Sequence, residues 1–230
     1  MSRLRVLVYN VNGFRSGVRR VAGTVLEEAP DVALLNEARG RLRLWWFARR
    51  MGMRVAAHGL RLFGGVTNAV LLRPPWRPVH AEVVRFPRTG RLHRRGAVVV
   101  RARRAGETVT VVAIHLGLSD EERVRHARGM TDALVGSPPP MVVGGDLNEG
   151  PTGKAAAWIA DRLWDAWARP AGSGAVPPGE TFPARDPRAR IDYVFVSEDV
   201  RVERCWIAAS PGAAGASDHL PLLADVAVGE

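Results

Sequence analysis

Hard oxygen donors recur at the ends of apolar, β-branched runs along this chain. Asn10 closes the run before YNVNG (9–13), Glu37 stands in LLNEA (34–38), and Asp146 and Asn148 stand in GGDLNEG (144–150). Asp192 lies in RIDYVFVS (190–197), and Asp218 precedes His219 in SDHLPL (217–222). Strand ends are where α/β proteins place chemistry, because a rigid strand aims the side chain and the following loop exposes it. Carboxylates and amides suit Mg²⁺ or Mn²⁺ and not a soft metal. His115 and His219 add two imidazoles that can serve a phosphate. The set predicts one metal–phosphate site assembled from the whole chain.

The 230 residues, 47% of them apolar, suffice for one domain with a large core, and no repeat or boundary divides 1–230. The formal charge is +10 and the pI near 11.3, which points to a polyanionic partner such as nucleic acid. Lys154 is the only lysine, so arginine carries nearly all of that charge. Cys205 is alone, so no intramolecular disulfide forms. No signal-peptide pattern and no membrane-spanning stretch is visible; the expectation is a soluble, cytoplasmic monomer.

Elements must hold these residues. Apolar runs predict strands at 5–9, 32–35, 66–72, 79–84, 97–103, 108–114, 141–144, 191–196, 200–207 and 222–228. Helical spacing predicts helices at 17–28 with Ser16 as cap, at 40–51, at 120–135 behind the capping box Ser119–Glu122, and after Thr152 through Trp164 and Trp167. At least one of Trp45 and Trp46 is expected in the core, although both can stack on bases. The Pro/Gly/Ala/Arg-rich stretch 169–190 reads as a long loop. Helices are missing between residues 66 and 114, so two packed sheets covered by helices fit better than a purely parallel α/β fold.

Within GGDLNEG, Gly144 and Gly145 permit a close approach of backbone or phosphate, and Asp146 and Asn148 share a face if the segment stays extended. Alone, GDxN is as well explained by an Asx turn. Together with VLVYNVNGFR, ALLNEA, TNAVLLR, VVAIHL, RIDYVFVS and SDHLPL, in that order, it resembles the endonuclease/exonuclease/phosphatase (DNase I-like) superfamily over essentially the whole chain. The resemblance implies an α/β (α+β) fold, a four-layered sandwich of two mixed β-sheets flanked by helices. It implies Glu37 as main metal ligand with Asn10 and Asp218 in the metal shell. By the same resemblance, Asp146 matches the aspartate that positions or activates the attacking water, Asn148 the amide that holds the phosphate, and His219, oriented by Asp192, the histidine that contacts the scissile phosphate. His115 fits the branch with histidine at that strand end, and Asn68 matches an active-site asparagine. Asn12, Arg185, Arg188 and Arg190 are further substrate-binding candidates.

Two departures stand out. The residue before the metal glutamate is usually Gln; here it is Asn36. No acidic residue between Met51 and Val79 offers itself to His115, which leaves a second His–acid pair in question. The reading is a Mg²⁺-dependent (or Mn²⁺-dependent) phosphodiesterase, best a nuclease acting on DNA or RNA. The rivals are a phosphatase or sphingomyelinase-like phospholipid phosphodiesterase of the same fold, and a non-catalytic nucleic-acid-binding protein. Of the remaining cations, Arg88, Arg91, Arg94 and Arg95 read equally as phosphate contacts or a solvated face, and His58, His80, His93 and His126 as structural or solvated.

Overall fold

Continuous apolar runs become strands buried on both faces. In the computed structural model, which describes residues 2–60, 65–87, 94–168, 179–208 and 210–229, the order begins β1 (Ser2–Asn10), a 3-10 turn (Asn12–Phe14), α1 (Val18–Gly23), β2 (Val32–Asn36), α2 (Arg41–Arg50), β3 (Arg54–His58) and β4 (Ala69–Leu72). It continues with β5 (Arg77–Arg85), β6 (Gly96–Arg104), β7 (Glu107–His115), α3 (Asp120–Ala133), β8 (Met141–Asp146), α4 (Lys154–Ala160) and β9 (Trp164–Asp165). The last elements are β10 (Asp192–Val196), β11 (Arg201–Ile207), α5 (Ala213–Ala216) and β12 (Leu222–Val228).

Two six-stranded sheets form, in the orders β11-β12-β1-β2-β4-β3 and β5-β6-β7-β8-β10-β9. Each is mixed: β1/β2 and β7/β8 run parallel, their other neighbours antiparallel. Period-two alternation sorts β1 between two cores. Leu4, Val6 and Val8 face Val98, Val111, Val142 and Val194 between the sheets. Leu7 and Tyr9 face outward to Val21, Leu44 and Phe47 of α1 and α2. Behind the second sheet, Val112, Ile114, Val143 and Phe195 pack on Ala127, Met130 and Ile159 of α3 and α4. The result is the four-layered sandwich expected from the sequence.

Several local expectations change. Helix α1 stops at Gly23, where a low-propensity glycine is followed by Thr24, whose hydroxyl turns back to the Val21 carbonyl at 2.8 Å. Ser16 does not cap it; its hydroxyl donates to the Ala216 carbonyl. The first turn of α4 is satisfied by Glu149, which accepts from Ala156 N at 2.6 Å, and not by Thr152. Trp164 pairs with Val196 as strand and is not helical. Trp45 and Trp46 are both exposed, at 49% and 52%, because α2 buries Leu44, Phe47 and Ala48 instead. Strand β3, a partly exposed edge with little apolar signal, had no sequence signature strong enough to read. Arg88, Arg91, His93 and residues 169–178 of the long loop lie outside the described residues. No helix among the described residues is long and apolar enough to cross a membrane.

Register fixes what stands level with what. Asn10 is opposite Asn36 in the first sheet. In the second, His115 is opposite Asp146, and Asp146 is opposite Asp192. The double glycine before Asp146 makes this possible. A Cβ on Gly144 would lie 2.4 Å from Val8 Cγ2, and one on Gly145, at φ +153°, would lie 1.8 Å from the Ile114 carbonyl oxygen. The close approach is thus made by the opposing sheet and by β7. Gly145→Ala is expected to lower stability by at least ~2 kcal/mol, read as a fall in the urea midpoint, because strain and overlap act together. Gly150→Ala, in open space, serves as the control and should be near neutral. An unchanged midpoint for Gly145→Ala would refute this account of the strand.

Candidate functional site

Three adjacent strands end in one row of titratable groups: His115 on β7, Asp146 on β8 and Asp192 on β10. All three are at most 2% exposed. His219, on the loop before β12, closes the row: its Nδ1 lies 2.8 Å from Asp192 Oδ2 and its Nε2 3.6 Å from Asp146 Oδ2. The Thr181 hydroxyl donates to the same Asp192 oxygen at 2.6 Å, and Phe182 packs its ring 5.0 Å from the imidazole. With Nδ1–H committed to Asp192, Nε2 of His219 is the nitrogen turned toward Asp146 and Asn10.

Asp146 is oriented from several sides. Its Oδ2 accepts from Asn10 Nδ2 at 3.0 Å and faces His115 Nε2 at 3.2 Å, while its Oδ1 accepts from Asn148 N at 2.9 Å. A carboxylate offers about four lone-pair directions, so one on Oδ1 is left for a further partner. The histidine missing an acid in its own neighbourhood therefore finds one across the strand pair, which answers the question the sequence raised about His115.

Arg95 lies against His115, its Nη1 2.7 Å from Nδ1 and 2.5 Å from Nε2. Burial and the Arg95 charge both push His115 below its ordinary value, so it is neutral near pH 7. Burial pulls His219 down as well, but Asp192 and then Asp146 outweigh it and hold it up at about 9. Burial alone would raise the Asp146 carboxyl; His115, His219 and the Asn148 amide hold it well below the usual carboxylate range. His219 and the nearby Arg95 guanidinium both bring positive charge toward Asp146.

The second sheet's row is clasped to the first by Asn36. Its Nδ2 donates to the Ile114 carbonyl at 2.8 Å and its Oδ1 accepts from Asp146 N at 3.0 Å, with no solvent exposure. The short amide in place of the family's usual Gln thus still bridges the sheets. Next to it, Glu37 sits in the left-handed region at φ 51°, as do Asn12 (φ 42°) and Asn148 (φ 54°). Such conformations cost energy for non-glycine residues and concentrate at functional sites. Asn148 shows that GDxN turns and does not stay extended; its side-chain amide reaches the Leu116 carbonyl at 3.2 Å.

Other candidates are placed less simply. Asn68 is buried and spends its amide on Gly96 O and Ala113 O, at 2.9 and 3.0 Å, bracing β6 and β7. Arg190 pairs with Asp165 at 2.7 Å and lies over the Tyr193 ring. Arg188 pairs with Asp186. Arg185 lines a cavity of about 300 Å³ together with Asn12, Ser217 and Asp218. Ser217 anchors that loop, donating to the Asn10 carbonyl at 2.6 Å. Arg95, Thr181 and Ser217 were not singled out by sequence reasoning; Arg95 was visible only as one member of an arginine run.

The tightest group able to hold a metal is Asp146, Asp192 and His219, with ligand atoms within 4.8 Å of one another. An ion there would displace the His219–Asp192 and Thr181–Asp192 hydrogen bonds. Glu37 offers a hard carboxylate outside this group, paired with Arg39 at 3.2 Å and 4.0 Å from Arg95, so an ion at Glu37 would have to displace those guanidinium contacts.

The molecule is thus a mixed two-sheet sandwich with an acid–imidazole row at its strand ends. The pattern of the Endonuclease/Exonuclease/phosphatase family matches residues 7–219, and the chain belongs to that family, a family of divalent-metal-dependent phosphoester hydrolases. No curated protein matches the chain by sequence. Among solved structures, the endonuclease/exonuclease/phosphatase from Bacteroides vulgatus is 18% identical with a TM-score of 0.82, covering 100% of both chains. The mannosyl-6-phosphatase Bt3783 from Bacteroides thetaiotaomicron is 18% identical at TM-score 0.78, covering 97% of this chain and 99% of its own. D. rerio TDP2 complexed with a single-strand DNA product is 17% identical at TM-score 0.77, covering 99% of this chain and 100% of its own.

The raised His219 value has a direct consequence for stability. Its folded value of about 9 lies above its ordinary 6.5, so the stabilisation it brings is full below about pH 6.5 and lost as pH rises toward 9. Thermal melts in EDTA should show wild type and His219→Gln converging across that window, by an amount on the order of 2–3 kcal/mol. A stability difference independent of pH would refute the charged His219–Asp192 pair.

Proposed function

We propose that the chain is a Mg²⁺-dependent phosphodiesterase that hydrolyses nucleic acid. The observation that carries the chemistry is the ionised Asp146 held between His115 and the cationic His219, with one Oδ1 lone pair unclaimed. A water on that lone pair is oriented and can pass its proton to the carboxylate as it attacks phosphorus. His219 donates from Nε2 to a phosphoryl oxygen while Asp192 holds Nδ1–H and stabilises the imidazolium. Asn10 and the Asn148 backbone fix the carboxylate plane. Glu37, Asn10 and Asp218 would hold the divalent ion, which supplies charge neutralisation at the phosphate. His115, kept neutral by burial and by the Arg95 charge, serves as a hydrogen-bond donor to Asp146.

Nucleic acid is favoured as substrate by the +10 charge and by Arg185 beside Asp218, and it is in keeping with the DNA product held by the D. rerio neighbour. A sugar-phosphate monoester is the second reading, since the mannosyl-6-phosphatase shares the fold to the same degree. A hydrolysis screen across DNA, RNA and sugar phosphates separates the two.

Activity should vanish in excess EDTA and return with Mg²⁺ or Mn²⁺. Glu37→Gln should raise the metal concentration needed for half activity, and Asp146→Asn should lower kcat by roughly 10³-fold or more with the fold intact. Turnover in EDTA, or an unshifted metal titration for Glu37→Gln, would remove the metal assignment.

His219→Ala and Asp192→Asn should each lower kcat steeply, and the double variant should be little worse than His219→Ala alone, because paired groups act as a unit. Losses that simply multiply would show that the two residues do not cooperate.

A further inference from the structure

We propose that the groove between α1 and α2 binds the continuing strand of a single-stranded polynucleotide whose scissile phosphate occupies the active site. This rests on the nucleic-acid reading above. The groove has a volume of about 930 Å³ and is lined by Arg19, Arg20, Arg43, Arg49 and Arg50 around Trp46. All five arginines are exposed. Among the described residues, none of them forms an ion pair with a carboxylate; those pairs use other arginines, such as Arg3, Arg39 and Arg123. Five like charges sharing one concavity repel each other, and a polyanion laid between them offsets that repulsion.

The spacing suits a nucleotide chain. Arg43, Trp46 and Arg50 stand at i, i+3 and i+7 of α2, on one face roughly 10 Å long at 1.5 Å per residue. A stacked strand advances about 3.4 Å per nucleotide, so this face matches about three nucleotides. Trp46 is 52% exposed and is braced by Trp45, whose ring lies 5.0 Å away at 76°. An indole braced on one side with its other surface open is a stacking platform for a base.

The groove is continuous with the site. Ser16 lines both it and the smaller cavity that contains Asn12, Arg185 and Asp218. Arg43 donates to the Gly13 carbonyl at 3.1 Å, and Gly13 N bonds the Glu37 carbonyl at 3.0 Å. The arginine-bearing helix is therefore tied to the loops that carry Asn12 and Glu37. An anionic bilayer also attracts arginine and tryptophan, but it presses on a convex face, whereas these arginines line a concavity leading to the active site.

The test uses the full chain with Asp146→Asn, Mg²⁺ present, and fluorescein-labelled oligo-dT and oligo-U of 4 to 12 nucleotides, read by anisotropy at several salt concentrations. Affinity should rise with length. Arg49→Glu with Arg50→Glu should weaken binding of the longest oligonucleotide at least tenfold and flatten the salt slope by about 1.4, at roughly 0.7 per lost phosphate contact. Trp46→Ala should cost about fivefold or more, and Arg49→Lys with Arg50→Lys should retain most of the affinity. In the otherwise wild-type enzyme, the glutamate pair should leave hydrolysis of bis-(p-nitrophenyl) phosphate, too small to reach α2, within twofold. Unchanged oligonucleotide affinity with nuclease activity intact overturns the groove and spares the nuclease reading. Hydrolysis of the small ester with no binding or cleavage of either polymer overturns both. Loss of binding to phosphatidylserine vesicles, with oligonucleotide affinity unaffected, overturns the groove in favour of a membrane contact.

Discussion

Asp146 and Asp192 stand directly opposite each other on neighbouring strands, both almost fully buried. Two carboxylates so placed repel one another and lose hydration, so they remain ionised only if positive charge and hydrogen-bond donors come to them. That requirement organises everything around them. His219 supplies the charge, bonded to one carboxylate and facing the other. Thr181, Asn10, the Asn148 amide and His115 supply the donors. Each comes from a different segment, so the charge cluster brings distant parts of the chain to one place.

A division of labour follows between depth and rim. Deep in the row, Asp192 is spent on holding an imidazole. At the rim, Glu37 keeps a one-fifth exposed carboxylate beside the guanidinium groups of Arg39 and Arg95. In the proposed reading a hard divalent ion keeps several bound waters and so needs access, whereas proton-handling groups need fixed partners and a low dielectric. Glu37 follows a strand of the first sheet, while Asp146 and Asp192 stand on the second.

The sequence showed the strand ends clearly because each one joins an apolar run to a conspicuous polar residue. GGDLNEG and SDHLPL carry their chemistry in consecutive positions, and the two-sheet architecture followed from strands without intervening helices. Contacts made across the fold were less legible. Arg95 was hidden in an arginine run, and only tertiary packing shows that it reaches His115 and Glu37. Thr181 sits in a loop without periodicity. Trp45 and Trp46 follow a core-like spacing, yet Leu44 and Phe47 had already filled the inner face of α2. Asn68 braces two strands through its side-chain amide, a contact that depends on neighbours distant in sequence.

The site draws on Asn10 near one end of the numbering and on His219 near the other, and β12, which follows His219, is the strand that pairs with β1. A ribosome releases these segments in order. While a chain is being made, Asn10, Glu37 and Asp146 emerge long before His219, and β1, which pairs with β2 on one edge, waits for β12 on the other. The complete row therefore forms late in synthesis, and a chain that ends before residue 219 lacks it.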